Sequence, residues 1–145
     1  MNPLKKTLSL ALLVGVTALL TGCAGGPKFA DAAIPPLAGE HGRLFFYRTT
    51  AMGAAVQPDV KLNGEKIGNA VPQGFFYADR VPGNYQVETS TEVKRRLSLT
   101  LDRGQTRFVR LNLGMGFFVG HVWPELVENA VGEKEIAKCK SVDAK

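Results

Sequence analysis

Asn63-Gly64 sits at the centre of DVKLNGEKIG, residues 59–68, with apolar and polar residues alternating on both sides. A two-residue hairpin needs positive φ at both central residues, and Asn-Gly meets that need at least cost. The segment therefore predicts two adjacent antiparallel strands. A two-residue loop sets Leu62 opposite Glu65 and Val60 opposite Ile67. The neighbouring stretches have the same character. RLFFYR (43–48), GFFYADR (74–80), NYQVETS (84–90), RLSLTL (96–101), TRFVRLNL (106–113) and FFVGHVW (117–123) are short, β-prone and bounded by turn residues. Tyr85, Val87 and Thr89 share one face. So do Leu97, Leu99 and Leu101, and again Val109, Leu111 and Leu113. Pro82-Gly83 and Asp102-Arg103-Gly104 supply turns. The pattern predicts a mainly β fold, a small antiparallel β-sandwich or half-open barrel of about seven strands. The tail changes period. Pro124 suits the first turn of a helix and Glu125 and Glu128 its N-terminal end. Leu126, Val127, Ala130 and Val131 recur at helical spacing, against which Gly132 counts. A short C-terminal helix packed on the sheets is expected between Pro124 and Lys140.

The start of the chain has another purpose. Lys5 and Lys6 precede an almost uncharged run, Thr7 to Leu20, and small residues follow at Thr21 and Gly22. This is the form of a secretory leader. The apolar run falls short of the roughly 20 residues that span a bilayer comfortably. Leu20-Thr21-Gly22-Cys23 resembles the bacterial lipobox. The resemblance implies a diacylglycerol on the Cys23 sulfur, cleavage between Gly22 and Cys23, and acylation of the new amine. Two or more acyl chains hold a protein on a membrane firmly where one does so only marginally. Residue 24 is alanine and not aspartate. By resemblance to the enterobacterial sorting rule, this favours the periplasmic face of the outer membrane.

Cleavage there divides the chain. Residues 1–22 are the signal peptide. Residues 23–42, rich in Gly, Ala and Pro and without apolar periodicity, read as a flexible tether. Residues 43–140 form one β-rich domain and 141–145 a tail. Of 145 residues 123 remain, and loss of Lys5 and Lys6 lowers the net charge from +5 to +3. That length suits one compact domain. So weak a basic bias, on an exported chain, argues against nucleic acid as a partner. Cys139 is left without an intrachain partner once Cys23 is lipidated, so the fold rests on its core and not on disulfides.

The stretch VKLNGEKIGNAVPQGFFYADRVPGNYQVET, residues 60–89, together with RLFFYR, resembles an uncharacterised family of small bacterial lipoproteins catalogued as a domain of unknown function. The shared elements are Arg43–Arg48, the Asn63–Gly68 hairpin and the Pro82–Val87 turn and strand. The same turn chemistry is similar to PEGA-type β-domains of envelope proteins. The resemblance implies a fold and offers no catalytic residues.

Reactive groups are sparse. His41 ends the tether and His121 lies in an apolar strand, neither in a metal-binding cluster, so no metal or other cofactor is expected. A nucleophile-elbow motif is lacking. GMGFFVG, residues 114–120, lacks the Gly-Lys-Ser/Thr end of a phosphate loop and reads as a glycine-kinked turn. Asp79, Glu88, Glu92 and Glu125 read as solvated or turn-forming. Cys139 reads as a small apolar residue on the tail's buried face. One surface is suggested by register. A three-residue loop at Asp102-Arg103-Gly104 would pair Leu99 with Arg107, Ser98 with Phe108 and Arg96 with Arg110. Facing arginines destabilise a sheet unless solvent, a nearby carboxylate such as Glu92 or an external anion compensates. On the last of these, Arg96, Arg110 and Phe108 are a candidate anion-binding patch. The function expected is that of a lipid-anchored, non-enzymatic binding or structural module of the envelope. Its partners would be the membrane, through Cys23, and an envelope protein, glycan or anionic lipid. The alternative is a cell-wall-active hydrolase.

Overall fold

A computed structural model describes residues 22–91, 93–116 and 120–142. Nine strands form two sheets: β1 (Gly42–Tyr47), β2 (Asp59–Leu62), β3 (Glu65–Asn69), β4 (Gly74–Arg80), β5 (Gly83–Ser90), β6 (Lys94–Leu101), β7 (Thr106–Gly114), β8 (His121–Val127) and β9 (Lys140–Ser141). Among the described residues a helix, α1 (Asn129–Ile136), precedes β9, and a 3-10 turn spans Phe29–Asp31. The first sheet has the order β8-β7-β1-β4-β9 and the second β3-β2-β5-β6. They face each other as a sandwich and do not close into a barrel.

The hairpin forms as the Asn-Gly pair requires. Asn63 and Gly64 both have positive φ, 50° and 87°, and Leu62 faces Glu65. One step back the ladder shifts between Val60 and Lys61, so Val60 faces Gly68 and not Ile67. A Cβ at residue 68 would meet the Phe76 ring at 2.8 Å, and glycine lets the strand lie close on it.

Leu44, Phe46, Val60, Leu62, Val87, Leu99, Leu101, Val109, Leu111 and Val122 fill the space between the sheets. The first sheet is covered on its other face too. There Phe45, Tyr47, Phe75, Phe108, Ile136 and Cys139 make a second cluster beneath α1 and the N-terminal segment. All six residues of β1 are consequently buried. Gly132 lets the helix approach, since a Cβ there would lie 2.3 Å from Phe108 Cγ.

Three expectations are corrected. Residues 24–41 are not a loose tether but a strap bound along the first sheet. The Ala24 N–H donates to Pro72 O at 3.2 Å, Gly26 N–H to Ser141 O at 3.1 Å and Phe29 N–H to Cys139 O at 3.1 Å. The Phe29 ring meets Phe45 and Phe75 edge-on at 5.4 and 5.2 Å. The strap is tied by backbone hydrogen bonds and one aromatic anchor, neither of which needs apolar periodicity. Second, Pro124 does not begin the helix. It lies in β8 opposite Leu111, and the strand continues to Val127. β8 is an edge strand, where a missing N–H can face away from the ladder. The 117–123 strand begins only at His121, and Phe117–Val119 lie outside the described residues. Third, β6 and β7 are not a hairpin. β6 pairs with β5, and β7 with β1 and β8. The turn at 102–105 carries the chain from one sheet to the other, and Arg43 N–H donates to Gln105 O at 2.8 Å. Leucines 97–101 and the apolar side of β7 therefore meet across the core and not side by side.

Candidate functional site

The crossover separates the residues of the expected anion patch. Arg96 lies on β6 and its Nε donates to Glu88 Oε2 at 2.9 Å, the residue opposite it on β5. Arg110 lies on the other sheet, beneath α1, and donates to Glu135 at 2.8 Å and Glu125 at 2.9 Å. Phe108 is buried under Gly132. The three do not form one surface, and each arginine already has a carboxylate. Asp79, Glu88 and Glu125 are cross-strand ion-pair partners and not merely solvated or turn-forming. Asp79 holds Arg43 through two 2.7 Å hydrogen bonds while the guanidinium lies 4.5 Å over the Tyr77 ring. Glu92 lies outside the described residues.

The Arg110 cluster fastens the helix. Glu135 accepts from Arg110 and, at 2.6 Å, from the Tyr47 hydroxyl, so one carboxylate joins β1, β7 and α1. Burial, then the hydrogen bond to Glu135, pushes the Tyr47 hydroxyl well above its ordinary pKa. Hydrogen bonds from Arg110 and Asn112 hold Glu125 below the ordinary carboxylate range. Such an arrangement holds charge in fixed pairs and offers no unengaged base.

Cys139 is fully buried, as the sequence suggests. Its Sγ lies 3.6 Å from Arg48 O, and burial pushes the thiol up to about 11. The adjacent lysines do not activate it, because desolvation outweighs the attraction of Lys138. The histidines sit at opposite ends of the sandwich. His41 precedes β1 at one end, where its carbonyl accepts the Gly104 N–H. His121 opens β8 at the other, its Nδ1 3.3 Å from Thr91 Oγ1. Among the described residues no group of three or more His, Cys, Asp or Glu is placed to hold a metal.

The Cys23 end is the distinctive region. Cys23 is exposed, immediately before buried Ala24, where the strap meets the turn into β4. Gln57 Nε2 donates to Gly22 O at 2.9 Å. Beside them Arg48 is entirely buried, and among the described residues its partners are carbonyls and not a carboxylate. Its Nη1 donates to Val56 O at 2.6 Å and Ala70 O at 2.9 Å, and its Nη2 to Met52 O and Gly53 O. Four carbonyls solvate the cation, and burial lowers its pKa from the ordinary value. The effect is to fix the loop from 49 to 58, which presents Met52 to solvent. Across the same end a groove of about 490 Å³ is lined by Arg95, Arg96, Met115, His121 and Trp123. RLFFYR gives no sign that its last residue, Arg48, turns inward. Met52 and Met115, each beside glycine in a loop, were the available signal for exposed apolar groups.

A β-sandwich whose middle sheet is covered by strap and helix is the structural class. The chain belongs to the DUF2846 family, described as a protein of unknown function, which matches residues 38–122. It is also 30% identical over 142 residues to an uncharacterized protein of Haemophilus influenzae, covering 92% of this chain and 84% of that one.

Proposed function

We propose that this protein is a bacterial lipoprotein, cleaved between Gly22 and Cys23, acylated at Cys23 and held at the periplasmic face of the outer membrane, where its sandwich acts as a non-enzymatic binding or structural module. The observation that carries the reading is Leu20-Thr21-Gly22-Cys23 after a leader. The exposure of Cys23 supports it, since the sulfur is open to acylation while Cys139 is enclosed. The docked strap is compatible with cleavage: loss of Gly22 removes the Gln57 contact and leaves the Ala24 and Phe29 attachments in place. The domain then sits directly on its anchor. The test is Cys23→Ala in the producing bacterium. The variant should accumulate as uncleaved precursor or appear as soluble protein. Fully processed variant in the membrane fraction would refute the reading.

A further inference from the structure

The two ends of the sandwich differ in what they expose. Six large apolar residues are exposed among the described residues, and four of them, Met52, Val93, Met115 and Trp123, lie at the Cys23 end. Met115 is 90% and Met52 69% exposed. Hydrogen bonds and close contacts fix their common location. Gly53 rests on Leu113, two residues before Met115, at a spacing where a Cβ would come within 2.7 Å of Leu113 Cδ2. Thr89 Oγ1 donates to Val122 O at 2.7 Å, which joins the end of β5 to the start of β8. Arg95 and Arg96, near the start of β6, are both exposed and line one groove with Met115 and Trp123. Cys23 reaches this end at the start of β4, three strands from β8 in the sheet order, roughly 14 Å at 4.8 Å per strand. The opposite end carries the polar Asn63-Gly64 tip and paired charges such as Arg103 with Glu40.

We propose that this end is a membrane-apposed rim, in which Met52, Met115 and Trp123 enter the headgroup region of the bilayer and Arg95 and Arg96 meet anionic phospholipid. The proposal rests on the lipoprotein reading, which supplies the anchor. The chemistry suits that occupant. Tryptophan favours the interface because its ring is apolar and its N–H polar. Basic residues are drawn to anionic headgroups. Arg95 makes no ion pair among the described residues, and Arg96 is 56% exposed despite Glu88. Lipidated Cys23 would hold these groups at the surface, so each adds to an attachment already made. Arg48 is the positioning residue, since its bonds to Met52 O and Gly53 O set the loop that presents Met52.

Trp123 is the sole tryptophan of the chain, so its fluorescence reports the rim directly. Full-length protein matured in cells and purified from membranes would be reconstituted in vesicles of phosphatidylcholine and phosphatidylglycerol, with or without bromine near the headgroup end of the acyl chains. The expected result is strong bromine quenching and protection from aqueous acrylamide. The double variant Met52→Asp, Met115→Asp, altered only at exposed positions, should remain vesicle-bound and lose the quenching. Arg95→Gln with Arg96→Gln should reduce it in anionic vesicles and leave it unchanged in neutral ones. Vesicle-bound wild type without bromine quenching would overturn the rim and leave the anchor standing. Protection from acrylamide without bromine quenching would put another protein or a second copy on this surface, and also overturns it. A matured chain that carries no acyl group and does not sediment with vesicles would overturn the anchor, and the rim with it.

Discussion

The two sheets differ in how many covers they have. The β3-β2-β5-β6 sheet has one, the facing sheet, and its outer face is wet. The β8-β7-β1-β4-β9 sheet has two, with α1 and the strap added outside. A sheet with one wet face must alternate apolar and polar residues; a sheet buried on both faces need not. Tyr85, Val87, Thr89 and Leu97, Leu99, Leu101 turn inward as the alternation of their strands foretells. RLFFYR has no alternation to read, and all of β1 is buried. The second cover also shows why the domain needs its N-terminal residues. Phe45 and Phe75, which lie under the strap, would otherwise expose aromatic surface.

The contrast can be broken by substitution, most strongly at its centre. Phe108 lies on the outer side of the doubly covered sheet, stacked on Phe45 at 5.3 Å. Phe108→Ala is expected to cost about 3–5 kcal/mol in urea unfolding. Gln86→Ala, on the wet face of β5, should change stability by less than about 0.5 kcal/mol. Similar values for the two would contradict the two-cover description. Phe29→Ala removes the strap's aromatic anchor. Because Phe29 is only partly buried, the loss should be about 2 kcal/mol. It should also speed proteolysis between residues 24 and 41. A strap that is cut no faster in the variant would show that Phe29 does not hold it.

Gly64→Val should lower stability by about 1–2 kcal/mol, because a β-branched residue is forced to positive φ at an open tip where nothing else clashes. An unchanged melting temperature would remove the turn's importance. A further effect concerns pH. Burial raises the Cys139 thiol from 9.0 to about 11, so the folded state stays protonated where the unfolded chain ionises. That contribution is complete below pH 9 and is lost as pH rises through 11. Tyr47, also raised, acts in the same direction. Between pH 8 and 10 wild type should lose about 1 kcal/mol more than Cys139→Ala. Equal losses would mean that the thiol is not desolvated.

How much was legible follows from the same physics. The β-sandwich class, the Asn63-Gly64 tip, the short helix and the enclosed Cys139 were readable because turn chemistry and periodicity are local. The β6–β7 relation was not. Leu97–Leu101 and Val109–Leu113 alternate in the same way whether they pair in one sheet or face each other across two. Parallel pairing of β1 with β7, from Arg43↔Thr106 to Tyr47↔Arg110, leaves no sequence trace either. Reading Arg96 against Arg110 therefore joined two residues that the crossover keeps apart. The ion pairs Arg43–Asp79 and Arg110–Glu135 depend on long-range register in the same way. The exposed groups around Cys23 come from four separate loops or strand ends, and only the fold gathers them.

The proposed function requires Cys23 to be the acylated first residue of the mature chain. The most direct measurement is the mass of the N-terminal peptide from protein taken from the membrane fraction of its bacterium. The account predicts a peptide that begins at Cys23 and carries a diacylglyceryl thioether and an amide-linked acyl chain. A peptide containing Gly22 joined to an unmodified Cys23 would contradict it.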